Sequence, residues 1–228
     1  MFQIDEDVLL FLKGHLGNND SEAFIRCSHF AYRDMCRTIT FSPEYNENSA
    51  KSSEEKTKIS EKKKELRTKV TELIKAQVEE WIQTPPETKE QFNEQHKKLC
   101  QSIIREYAYT TNQSMPKKSL YFGQAQKWVN MTLKNLYVYS KSNNTSLSLD
   151  HIIRYFHIPL DNVILDIASG KKKCYIPEGT EYHVERPDGA WSKWSYKKYK
   201  AYQKQLEASI SDDVPIIWEL RHWSTVER

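Results

Sequence analysis

Apolar residues return every three or four positions along most of this chain, a spacing that lines one face of a helix and suits no strand. Within residues 5–16 the recurring set is Val8, Leu9, Phe11 and Leu12, and within 22–39 it is Phe24, Ile25, Phe30 and Ala31. A longer run over 61–83 carries Leu66, Val70, Leu73, Ile74, Val78, Trp81 and Ile82 before Pro85 and Pro86 stop it. Residues 87–110 keep the period with Phe92, His96, Leu99, Ile103 and Tyr107. Further helices are expected over 147–156, 162–169 and 191–211, and a last one from Asp212 carries Trp218, Leu220 and Trp223. The expected fold is therefore mostly all-α, one domain of helices arranged in two lobes. A short β-hairpin is expected near 174–184, where Cys174, Tyr175 and Ile176 face Tyr182, His183 and Val184 across Pro177 and Gly179.

Two stretches break the pattern. Residues 42–60 hold Pro43 and many Asn, Ser, Glu and Lys with almost no large apolar side chain, so they are expected to form a mobile linker or exposed insertion. No stretch reaches the roughly eighteen apolar residues that span a bilayer, and the start, MFQIDEDVLLFL, lacks the basic region of a signal peptide. A cytoplasmic protein without a membrane partner is expected. Cys27, Cys36, Cys100 and Cys174 form no Cys-x-x-Cys pair, so they are expected to be reduced thiols, mostly buried, and no metal or other cofactor is expected. The net charge of +3 balances 34 basic against 31 acidic residues and does not by itself announce a nucleic-acid binder. Local basic knots at Lys117-Lys118, Lys171-Lys172-Lys173 and Lys197-Lys198 with Lys200 are what phosphate contacts need, and equally what any solvated face carries.

The segment from Leu120 to Lys134 has two faces when wound at 100° per residue. Phe122, Ala125, Val129, Leu133 and Leu136 form a core side, whereas Gly123, Lys127, Asn130 and Lys134 lie on a second stripe. That stripe either lines a cleft or is the wet side that a surface helix requires.

The order Gly-x-x-x-Lys at Gly123 and Lys127, followed by Ile158-Pro159-Leu160-Asp161, resembles the helix-hairpin-helix DNA glycosylases. The nearest likeness is to the archaeal 8-oxoguanine branch, with Gln126-Lys127, Lys134 one heptad on, and the Pro-x-Asp corner in the same order. It covers about residues 116–168, and the chain keeps only Gly123 of the two glycines usual in the hairpin. The resemblance implies a base flipped out of duplex DNA, with Lys127 and Asp161 facing the sugar. Glu219 and Trp223, one helical turn apart, are similar to the carboxylate and tryptophan that bind the base from the final helix of that branch.

The chemistry of those residue types fits. An unprotonated lysine amine is a nucleophile toward C1′, and burial or a neighbouring cation such as Lys134 favours the neutral form. An ionised aspartate stabilises the positive charge left on the sugar as the base departs, and it equally serves as a helix N-cap. A flipped base needs a stacking pocket, for which Trp128, Asn130, His157, Glu219 and Trp223 are candidates. Phosphate contacts are expected at Lys117, Lys118, Gly123, Lys134, Lys171 and Lys172. The excised base is either an oxidised purine, in DNA repair, or a modified base of phage DNA, in a defence role. Two other readings remain open at this point: a non-catalytic helix-hairpin-helix DNA-binding module, and a helical interaction protein of a toxin–antitoxin or defence system.

Overall fold

A computed structural model of the chain describes residues 14–141, 145–171, 183–210 and 213–224. Within them the fold is helical, and the β-structure is a single isolated bridge between Phe41 and Thr111. The helices are α1 (Asp20–Cys36), α2 (Ser53–Gln83), α3 (Lys89–Glu106), α4 (Phe122–Ser140), α5 (Asn162–Ala168), α6 (Tyr196–Ser209) and α7 (Pro215–Ser224). None of the described helices is long and apolar enough to cross a membrane. The region of the expected hairpin lies almost wholly outside the described residues; His183 and Val184, which are described, are irregular.

Helix starts follow local chemistry. The side chains of Asn19, Ser52, Thr88 and Ser195 each accept a hydrogen bond from a backbone N–H of the first turn of α1, α2, α3 and α6, satisfying donors that have no partner inside the helix. Ser52 corrects the expected start of the helix over 61–83, within a stretch, 42–60, that is largely exposed as the insertion reading has it. Capped there, α2 begins eight residues before the apolar period starts, and Lys58 pairs with Glu54 across one turn. The two 3-10 turns Pro43–Tyr45 and Glu47–Ser49 fold back on α2, with Lys63 paired to Glu47 at 3.0 Å and lying over the Phe41 ring. A composition poor in apolar residues is thus ordered by caps, ion pairs and the rings of Phe41 and Tyr45, the second of which lies under Lys62.

The expected helix over 147–156 is the second correction. Its apolar side chains Leu147, Leu149, Ile152 and Phe156 are buried, but the backbone winds through tight turns and only Ile153–Tyr155 is helical, as a 3-10 turn. Asp20, at the start of α1, accepts hydrogen bonds from Tyr139, Thr145 and Ser146 and ties down the entrance to this segment.

Helix α4 is the axis of the molecule. It packs against α1, α3, α6 and the turn Trp191–Lys193, while α2 covers α1 and α3, and α5 packs on α7. Apart from Ile59, the buried apolar side chains described form one contiguous cluster from Leu16 to Trp218. Consequently α4 is enclosed on every side over most of its length, and the stripe with Gly123, Lys127, Asn130 and Lys134 is as buried as the apolar one.

Candidate active site

Lys127 leaves α4 toward the extended segment that precedes α5. Its Nζ lies 2.8 Å from Asp161 Oδ2 and 3.5 Å from the Pro159 carbonyl oxygen. Asp161 is the N-cap of α5, and its other oxygen accepts the Ile164 N–H at 2.9 Å. The capping and the pairing readings of Asp161 therefore hold together. Burial raises the Asp161 carboxyl, but the Lys127 ammonium, the hydrogen bonds from Lys127 and Ile164, and the more distant charge of Lys134 outweigh it and hold the group below the usual aspartate range.

Two turns further along α4, Lys134 Nζ lies 2.8 Å from Glu219 Oε1 of α7. Both residues are buried, and the second oxygen, Oε2, has no hydrogen-bond partner among the described residues. Burial pushes the Glu219 carboxyl above the usual glutamate range, against the pull of Lys134 and Lys127, and the charge of Asp161 pushes in the same direction. Lys134 Nζ also sits 5.2 Å from the centre of the Trp223 ring. Two lysines of one helix and two carboxylates of two others thus form one electrostatically coupled group. Asp161, 22% exposed at its side chain, and Trp223, 41% exposed, are its outward members.

What holds the Pro-x-Asp corner is a polar network inside the fold. Gln203 of α6 pairs with both backbone groups of Ile158, accepting its N–H at 3.3 Å and donating to its carbonyl at 2.6 Å. Asn130 donates to the Tyr199 hydroxyl at 2.9 Å and to Gln126 Oε1 at 2.8 Å, and its own carbonyl accepts from His96 Nε2 at 2.7 Å. His157 lies 2.6 Å from Asn93 Oδ1 and 2.7 Å from the Tyr199 hydroxyl. Burial lowers both imidazoles, His96 to about 4 and His157 well below its ordinary value, so both are neutral. A neutral ring has one N–H, which His157 gives to the amide oxygen of Asn93, leaving Nδ1 to accept from Tyr199.

Several expected pocket residues take other parts. Trp128 is a core residue: its ring packs on Tyr32 and Tyr107, and its indole N–H reaches the Ser28 carbonyl at 3.0 Å. Asn130 is completely buried with its amide satisfied, so it presents nothing to a base. His157 lines a hollow of about 590 Å³ between α3 and α6, which neither Lys127 nor Asp161 lines. Gly123 does not await a phosphate; its N–H donates to the Trp194 carbonyl at 3.0 Å, and a Cβ there would come within 2.0 Å of the Trp191 oxygen. The phosphate contact expected of Lys134 gives way to its buried pair with Glu219. Lys117, Lys118 and Lys171 are exposed, and Lys172 lies outside the described residues. Gln203, Tyr199 and Asn93 went unnoticed in the sequence, because a glutamine, a tyrosine and an asparagine at helical spacing carry no signal of what they will face.

Cys27 and Cys100 are buried thiols and Cys36 is half-buried, as expected, while Cys174 lies outside the described residues. No protein-family profile, curated protein or solved structure matches the chain.

Proposed function

We propose that the chain is a DNA glycosylase that removes a modified base, with Lys127 as nucleophile and Asp161 as the charge that stabilises the sugar. The observation that carries this reading is the pairing of Lys127 with Asp161, 34 positions apart, inside a group that also holds Lys134, Glu219 and Trp223. Burying two ion pairs costs more in lost hydration than an apolar core would, so their retention points to a use beyond stability.

The depressed Asp161 carboxyl is a weak proton acceptor, and its part is electrostatic. Ionised beside C1′, it stabilises positive charge as the bond to the base breaks. The Lys127 ammonium gives a proton to the departing base, and the resulting amine bonds to C1′. The second proton of that nitrogen passes to the ring oxygen as the C1′–O4′ bond breaks, giving a protonated Schiff base and a 4′-hydroxyl; loss of a C2′ proton then expels the 3′ phosphate and cleaves the strand. Trp223, the outward member of the group, supplies a stacking face for the everted base, and the fully buried Glu219 acts through its pair with Lys134.

Borohydride trapping on duplexes that each carry one modified base, oxidised purines and modified pyrimidines among them, tests the reading. A covalent adduct is expected with one class of base and none with unmodified DNA. Lys127→Ala should abolish the adduct, and Asp161→Asn should slow its formation on the order of a hundredfold or more, while DNA binding holds or tightens. An undiminished adduct in Lys127→Ala would remove Lys127 from the chemistry, and no adduct or base release with any duplex would remove the glycosylase reading itself.

A further inference from the structure

Among the described residues, the non-glycine residues with left-handed backbone are Tyr109 (φ 64°), Lys117 (φ 61°) and Lys118 (φ 45°), and all three lie in the connection between α3 and α4. Such a conformation is unfavourable for a side-chain-bearing residue and persists only where its surroundings impose it. Here a lattice of backbone bonds does so. The Tyr109 N–H donates to Lys117 O at 2.6 Å and the Thr111 N–H to Lys118 O at 3.1 Å, while Ser42 donates to Thr110 O and Asn112 to Thr40 O. Gln113 and Gln124 bond each other through both amides and anchor the loop to α4.

The lattice holds an unusual set of side chains outward. Tyr109 is 67% exposed, the most exposed large apolar side chain described. It lines a hollow of about 620 Å³ together with Lys117, Lys118, Asn112 and Met115, and among the described residues Glu44 is the only acid on that lining. An aromatic ring that shares one hollow with two exposed lysines on a held backbone matches a strand whose bases alternate with phosphates. In a duplex the base faces are covered by their neighbours, so a ring on the lining of a hollow stacks only on an unpaired base.

We infer that this hollow binds a single-stranded segment of nucleic acid, with one base stacked on Tyr109 and the flanking phosphates at Lys117 and Lys118. The inference rests on its own residues and needs nothing from the Lys127 chemistry.

Fluorescence anisotropy with a labelled, unmodified oligothymidylate tests it, since that probe offers nothing to excise. Tyr109→Asn removes the ring and keeps a residue that tolerates the left-handed backbone. It should weaken binding roughly five- to a hundredfold, the range for losing one base-stacking aromatic, whereas Tyr109→Phe should bind like the parent. Lys117→Gln and Lys118→Gln should each lower the slope of log affinity against log salt by about 0.7, as expected for one single-strand phosphate contact. Unchanged affinity in a folded Tyr109→Asn protein, or salt slopes unchanged in both lysine variants, would overturn the inference. So would tighter binding of polyglutamate, which would make the hollow a site for acidic protein segments, or of the matching duplex. Binding that behaves as expected alongside a failed borohydride trap discards the glycosylase reading alone.

Discussion

At Gly123 the absence of a side chain serves the interior of the fold. The start of α4 lies against the turn Trp191–Lys193, and a methyl group would have to push that backbone away from a 2.0 Å approach to the Trp191 oxygen. Gly123→Ala should therefore destabilise the protein by about 1–3 kcal/mol, seen as a lower denaturant midpoint with an unchanged slope. Asp161 makes a prediction of different sign structure. Its folded-state carboxyl lies below the ordinary value of 3.8, so the stability that it contributes is fully present above that pH and is lost as pH falls through the lowered value. The stability gap between the parent and Asp161→Asn should stay constant above pH 3.8 and close below it, as measured by urea unfolding across the acid range. A gap that widens on acidification would mean that the carboxyl is not held in its charged form by Lys127.

Single elements show where local and non-local forces divide the work. The first turns of α2 have almost nothing apolar to bury apart from Ile59, yet they are helical because Ser52 caps them, Glu54 and Glu55 suit the helix dipole, and Lys58 pairs with Glu54. Ser52→Ala should cost about 1 kcal/mol and speed hydrogen exchange in the first turns of α2 while leaving its second half protected. Helix α4 is the opposite case. Its amphipathic pattern is that of a surface helix, with one polar stripe, but α6, the corner before α5 and α7 cover that stripe and turn its polar groups into buried pairs. Hydrophobic periodicity shows which side of a helix is apolar; whether the other side meets water depends on whether distant segments bring partners for its polar groups.

For the whole molecule, one contiguous core joins α1 through α7, with α4 touching most of the other helices. Unfolding should therefore be one cooperative transition, with tryptophan fluorescence and far-ultraviolet circular dichroism giving coincident urea curves. Two separated transitions would mean that the helices divide into independently stable lobes. The periodicity of three and four and the proline stop after α2 were enough to place α1, α3 to α7 and most of α2 in the chain, because each is set by residues within a few positions of one another. The likeness of Lys127 and Asp161 to a known constellation singled out the pair, but sequence could not bring them to 2.8 Å, seat Glu219 against Lys134, or withdraw Trp128 and Asn130 into the interior. Those outcomes depend on contacts between residues 34 to 100 positions apart, made by polar groups whose burial is tolerable only when distant partners arrive. Local order was written in the neighbouring residues; the coupled group exists only because tertiary packing brings its members together and takes Lys127, Lys134 and Glu219 out of water.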